Sequence, residues 1–332
     1  MKIANHNSFV LAGDIGGTKT SLGIFACGNR RPRQVLVESW PSRDAPNLEW
    51  IVERFLQKHS YALKSACFGI AGPVVRGKCK TTNLPWEVSE HRLKERFGFN
   101  QVKLINDLAA TARAVPLLHH REVASINRRR SREEGNMAIL APGTGLGEAI
   151  VVSYGESHIP IPSEGGHIDF SPANEQEVKL WVYLRRRFGH VSFERIVSGP
   201  GLVNIYSWLR ATKYRSEPQW LRNAFKKGDH ARVIAETALA KKNRACEQAL
   251  RIFVSILGRA AGNLALTVMA TGGVFLAGGI PPKILPALRE QHFLKSFTDK
   301  GRFEELLRKI PVRVILNQKA ALLGAARCAC ER

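Results

Sequence analysis

Hydrophobic and polar positions alternate with a period near two in Thr20–Ala26 and Gln34–Ser39, and Ser8–Asp14 before them is an apolar run ending in a polar Gly-rich turn. That period belongs to strands with one face on a core, so the runs predict a three-stranded antiparallel meander. Leu48–His59 switches to helical spacing and predicts an amphipathic helix. Ser65–Ile70 reads as a strand ending at the Gly72–Pro73 turn, and Val102–Ile105 as another. Asn106–Asp107 opens a helix that runs to Val115, just before Pro116. The first part of the chain is therefore β-β-β-α-β-α-β-α. Asn127–Gly135 is polar and Arg-rich and is expected to be a surface loop. The pattern then restarts. Met137–Ala141 and Leu146–Ser153 read as strands joined by a Gly-rich turn, with helices around Glu175–Phe188, Gly201–Leu209, Arg232–Ala240 and Ala245–Met269. Gly273–Ala277 and Val312–Leu316 are strands, and Ala320–Cys328 is a closing helix. A strand, glycine turn and strand near the start of each half point to a duplicated α/β unit.

A length of 332 residues suits two domains, at roughly 100–200 residues each. Composition is that of ordinary globular protein, 44% hydrophobic and 23% charged. No uninterrupted apolar run approaches the ~20 residues a bilayer-spanning helix needs; the longest, such as Ala260–Val268, are broken by Gly, Asn and Thr. The N-terminal apolar run ends in Asp14 and Gly16–Gly17 and reads as a first strand, so a cytoplasmic protein is expected, without membrane contact. Cys27, Cys67, Cys79, Cys246, Cys328 and Cys330 form neither a CxxC pair nor a zinc-spaced cluster, and are expected to be free thiols, several of them buried. Fifty Lys and Arg against 28 Asp and Glu give a net charge of +22. Such a field attracts anions. The basic residues are nevertheless scattered, with no helix-turn-helix, zinc finger or aromatic-interleaved basic motif, so a solvated basic surface is preferred to nucleic-acid binding.

Three glycine turns carry the chemistry. In LAGDIGGTKTSLGIF, a strand delivers Asp14 and then turns through Gly16, Gly17 and Thr18 to Lys19. Glycines admit close backbone approach, successive N–H groups and the Thr18 hydroxyl suit phosphate oxygens, and Asp14 suits a hydrated magnesium ion. In LAPGTGLGEAIVV, Gly143, Thr144 and Gly145 repeat the device. Each alone is also an ordinary hairpin; as a pair they are what an ATP clamp between two like domains requires. Neither is a P-loop, since no Gly-Lys-Ser/Thr opens a helix, nor a dinucleotide fingerprint. In GGVFLAGGIPPKI, a buried strand ends at Gly278–Gly279, which leave room for a flat group such as adenine or for close helix packing; Pro281–Pro282 are expected in a helix's first turn.

The spacing of these turns resembles that of the two phosphate motifs and the adenosine motif of the sugar kinase/Hsp70/actin superfamily. FGIAGPV (68–74), TTNLPW (81–86), INDLAATARAVP (105–116), PGTGLG (142–147), PSEGGHIDFSP (162–172), GHVSFERIVSGPGLVNIY (189–206), GGVFLAGGI (272–280) and FTDKGRF (297–303) closely resemble bacterial glucokinases, from about residue 8 to about residue 328. The resemblance implies two ribonuclease H-like α/β domains of the actin-like ATPase fold with a cleft between them. The small domain would be 1–117 with the returning helix of 318–332, the large one 118–317. It implies glucose and magnesium-ATP meeting in the cleft, closure on glucose, and a homodimer.

Phosphoryl transfer asks mainly for positioning and charge stabilisation, and a carboxylate beside the sugar hydroxyl can take its proton. The resemblance places that base at Asp107, and Asn83, Asn106, Glu164, His167 and Glu194 match its sugar-binding positions. Asn106 or Asp107 can equally cap the helix that follows. Lys19 stands where the family often has Asn, and would touch a phosphate or point outward. The Arg-rich loop and the charge of +22 are not family features; they keep a polyphosphate donor open as a minor alternative to ATP. Other readings are a kinase for another hexose or amino sugar, a sugar-sensing protein without catalysis, and a sugar-responsive regulator. Kinases of the repressor/ORF/kinase type often have a Cys-rich zinc motif after the Gly-Gly-His loop; none follows His167 here. A first strand starting by residue 8 leaves no room before it for a DNA-binding domain.

Overall fold

The computed structural model describes residues 8–28, 31–81, 83–127, 129, 135–155 and 157–331. Most of the expected Arg-rich loop, Arg128 and residues 130–134, lies outside the described residues, as does Thr82 of the TTNLPW segment. Two compact units form, Met1–His120 with His158–Pro162 and Asn317–Arg332, and Arg121–Ser157 with Ser163–Leu316.

The first unit runs β1 (Phe9–Ile15), β2 (Lys19–Ala26), β3 (Arg33–Pro41), α1 (Leu48–Lys58), β4 (Leu63–Ile70), β5 (Val74–Val75), β6 (Lys78–Lys80), β7 (Glu87–Ser89), α2 (Glu90–Phe97), β8 (Gln101–Asn106) and α3 (Asp107–Ala114). Its main sheet has the order β3-β2-β1-β4-β8, antiparallel through the expected meander and parallel from β1 through β4 to β8. Asn47 starts α1 by accepting from the Trp50 N–H at 2.9 Å, and Leu48, Ile51, Val52 and Phe55 form its buried stripe. Phe55 and Phe68 lie in the core with Leu11, Ile15, Leu22 and Ile24. The small sheet β5-β6-β7 was not foreseen, because strands of two or three residues carry no readable period.

The second unit runs β9 (Val123–Ser125), β10 (Met137–Pro142), β11 (Leu146–Tyr154), the two ends of β12 (Ser157–Ser163), α4 (Glu175–Phe188), α5 (Gly199–Thr212), α6 (Gln219–Lys227), α7 (His230–Leu239), α8 (Arg244–Thr267), β13 (Gly273–Leu276), α9 (Leu285–Leu288), α10 (Gln291–Thr298), α11 (Glu304–Lys309) and β14 (Val312–Ile315), His158–Pro162 of β12 being counted with the first unit. Its sheet has the order β12-β11-β10-β13-β14-β9. Helix α8 is long and apolar enough to cross a membrane, with a mean hydropathy of 1.4 over its best 18-residue window. It is the core helix of this unit, 78% of that window being buried, and it packs on α5, α7 and α10. Arg259, Gly262 and Asn263 interrupt its apolar run without lowering its average enough to matter. The expectation for Pro281–Pro282 is corrected: they lie in turns ahead of the short α9, not inside a helix. They sit in a tight turn closed by the Lys283 and Ile284 N–H groups donating to the Ile280 carbonyl at 3.0 and 3.2 Å, just ahead of α9.

The chain closes with α12 (Ala320–Cys330), which packs on α3, β1 and β4 of the first unit. Arg113 of α3 pairs with Glu331 at 2.6 Å. Cys27, just past β2, and Cys330 form a disulfide, which corrects the expectation of six free thiols; Cys67, Cys79, Cys246 and Cys328 are free and buried. Nothing in the local sequence marks the pair, since 303 positions separate them and only the return of α12 brings them together. A cross-link closing so long a loop is expected to contribute roughly 2–5 kcal/mol. Reductant should therefore lower the urea midpoint of the protein, and Cys27→Ser should show that lower midpoint whether or not reductant is present.

Candidate functional site

In the first unit Asp14 sits near the end of β1, opposite Ser21 of β2 and Gly69 of β4. The Gly16 N–H donates to the Lys19 carbonyl at 3.0 Å and closes the turn. Ser42 holds it from behind: its Oγ donates to the Gly16 carbonyl at 2.7 Å and its N–H to the Thr18 carbonyl at 3.0 Å. With those carbonyls turned inward, the turn keeps its shape without a ligand. A Cβ on Gly17 would stand 2.6 Å from the Asn83 Cβ, so the structure brings the first glycine turn and a sugar-binding candidate together. Lys19 is exposed at the start of β2.

Asn106 and Asp107 sit where β8 passes into α3. Asn106 is the cap: its Oδ1 accepts from the Leu108 N–H at 2.9 Å and the Ala109 N–H at 3.3 Å, while its Nδ2 donates to the Gly72 carbonyl at 3.4 Å. The carbonyl side of the amide is thus engaged by the helix. Asp107 Oδ1 accepts from its neighbour's N–H at 2.8 Å, at the end of the helix where negative charge is favoured. Glycine at 69 lets α3 lie close over β4; a Cβ there would be 3.0 Å from the Ala110 Cβ. The Asp14 carboxyl is pushed up to about 6, by burial first and then by the charge of Asp107, with Lys19 opposing. This donor set fits a magnesium ion. Two carboxylates with excess negative charge favour a divalent cation, and Mg²⁺ commonly binds through one or two carboxylates while keeping several waters. Among the described residues no group of three or more His, Cys, Asp or Glu could hold a metal by itself.

In the second unit the turn from β10 to β11 is closed by the Gly143 N–H donating to the Gly145 carbonyl at 2.8 Å, and the Gly199 N–H at the start of α5 donates to the Gly143 carbonyl at 2.8 Å. Glu194 lies in a single helical turn over residues 193–195. Its Oε2 accepts from the Leu146 N–H at 2.9 Å and presses on Gly145, where a Cβ would collide with it. Its Oε1 is 3.9 Å from His167 Nδ1, and His167 Nε2 is 4.0 Å from Glu164 Oε2. The structure therefore gathers Glu164, His167 and Glu194 into one cluster beside the second glycine turn. Gly278 takes a φ of +81°, which suits glycine, and a Cβ there would stand 2.7 Å from the Pro142 carbonyl oxygen, so the third turn adjoins the second. Gly279 faces open space.

Two residues of this region escaped sequence reading. Ser42 lies 26 positions from the turn it braces, with no motif around it. Glu148 did leave a signal, a lone carboxylate inside the apolar strand LGEAIVV.

The glucokinase family model matches residues 11–332. The chain belongs to the glucokinase family. A glucokinase of Nostoc punctiforme is 40% identical over 337 residues, 97% of this chain and 99% of that one. Among solved structures, a glucokinase from an Antarctic psychrotroph superposes with a TM-score of 0.88 at 31% identity, covering 98% of this chain and 99% of that one. A ROK family glucokinase from Streptomyces griseus, solved with glucose and AMPPNP, has a TM-score of 0.66 at 19% identity over 98% and 100% of the two chains, which shows the shared fold. The two α/β units are those of the actin-like ATPase fold of these sugar kinases, as the sequence led one to expect.

Proposed function

We propose that this chain transfers the γ-phosphate of ATP to the 6-hydroxyl of glucose, giving glucose 6-phosphate and ADP. The observation that carries the reading is the Glu194 carboxylate, which touches the phosphate turn at Leu146 N–H and faces His167 with its other oxygen. One side chain thereby ties a phosphate-holding turn to a hydroxyl-binding cluster. The relatives' shared name at 40% identity, and the glucose and AMPPNP of the Streptomyces griseus protein, support it.

In this reading Asp107 accepts the proton of the attacking hydroxyl. Asn83, Asn106, Glu164, His167 and Glu194 bind sugar hydroxyls, Asn106 through what its capping role leaves over. Gly16, Gly17, Thr18 and Lys19, with Gly143, Thr144 and Gly145, hold phosphate oxygens, and Gly278–Gly279 pass the adenine. Asp14 would hold magnesium through water, and the metal's contribution is to neutralise charge on the phosphates. Because carboxylates and an imidazole pair with individual hydroxyls, sugars lacking one should be strongly rejected.

ADP release with magnesium-ATP across a sugar panel tests this, with polyphosphate as an alternative donor. Turnover is expected to be highest on glucose and with ATP. A preference for another hexose would move the substrate and keep the chemistry, and no turnover on any sugar would overturn the proposal.

A further inference from the structure

Glu148 is the third residue of β11, three positions beyond Gly145. The residue is only 5% exposed, and no hydrogen bond or ion pair reaches its carboxyl from the described residues, although its oxygens are not wholly shielded from solvent. A buried carboxyl without a partner is costly, and ionised it is far costlier. Its surroundings are specific. Glu148 Oε2 lies against Gly165, so closely that a Cβ on that glycine would collide with it, and Gly166 lies equally close to the Leu146 carbonyl. These two glycines are the floor of the turn that presents Glu164 on one side and His167 on the other. The Gly165 N–H is spent on Ser163 Oγ at 3.0 Å, which leaves the carboxyl to support the turn by contact alone.

We propose that Glu148 is a positioning residue for the sugar-binding turn: its uncharged carboxyl fills the space under Gly165 and holds Glu164 and His167 in place, and its ionisation loosens them. The inference rests on the sugar-site reading given above. Burial pushes the Glu148 carboxyl up to about 7, with no charged neighbour contributing. The titratable groups nearest by element are Glu164 and His167 on the turn, Glu194 on the adjoining one, and His158 on β12; β10, paired with β11, carries none over Met137–Pro142. At pH 6 the carboxyl is mostly neutral and the turn is seated. Above pH 7 it ionises in a site where the described residues offer no counter-charge or donor, and relief comes by shifting Gly165 so that more water reaches the carboxylate.

The test is glucose affinity by calorimetry without nucleotide, from pH 6 to pH 8, for the wild-type protein and Glu148→Gln. If only the protonated form seats the turn, wild-type affinity falls about tenfold over that range, while the near-isosteric, uncharged glutamine holds it level. Glu164 and His167 are present in both proteins, so the difference belongs to position 148. Thermal unfolding supplies a readout independent of sugar. A carboxyl whose folded pKa is raised contributes stability at low pH that is lost as pH rises through that value. Glu148→Gln is therefore expected to melt higher than wild type at pH 8, with the gap closing by pH 5. Superimposable pH profiles in both measurements would overturn the positioning role alone. Absence of glucose binding at every pH in both proteins would overturn the sugar-site reading and this inference with it.

Discussion

Asp107→Asn is expected to lower kcat for glucose about 10³-fold while moving the glucose KM no more than about threefold. The amide keeps an oxygen where Oδ1 accepts the Leu108 N–H, so the start of α3 should survive the change. What disappears is the ability to take a proton from the attacking hydroxyl. A structural role alone would instead move KM and the melting temperature together. Steady-state kinetics with matched thermal melts separate these outcomes, and an Asn variant with near-normal kcat would remove Asp107 from the chemistry.

Glu194→Ala should have the second largest effect, a loss of about 100-fold in kcat/KM felt through both substrates. It strands the Leu146 N–H in a part-buried place, which frees the Gly143–Gly145 turn and raises the KM for ATP. It also removes the carboxylate 3.9 Å from His167, which raises the KM for glucose. Glu194→Gln divides the two roles. Its amide oxygen can still accept from Leu146, so the ATP KM should recover while the glucose KM stays high. If both variants disturb glucose alone, the link to the phosphate turn has no functional weight.

Much of the site was legible because its parts are local. A glycine turn between two strands is written in consecutive residues, and so is the Asn106–Asp107 junction, where the choice left open between base and cap resolves into two residues with two duties: Asn106 caps the helix, and Asp107 stands next to the cap with one oxygen held. Strands β1 to β4 and helices α1, α4 and α8 carry long regular periods and lie within a few residues of where those periods place them. Short elements do not announce themselves: β5 to β7 and α9 have too few residues for a period.

By itself the sequence determined the order of the strands and helices with the clearest periods, the doubled glycine-turn device and the family, while β5 to β7, β9, β12, α6, α10 and α11 went unread. Only the tertiary structure decided what depends on distant segments meeting. It placed Cys330 against Cys27 by returning α12 to the first sheet, turned the apolar α8 into a core helix by surrounding it with α5, α7 and α10, and set Glu194 on the turn at Gly145. It also buried Glu148 beneath Gly165. A residue's type is local, but its dielectric surroundings and its neighbours are made by the fold, and for Glu148 those surroundings convert an unremarked strand residue into a titrating support.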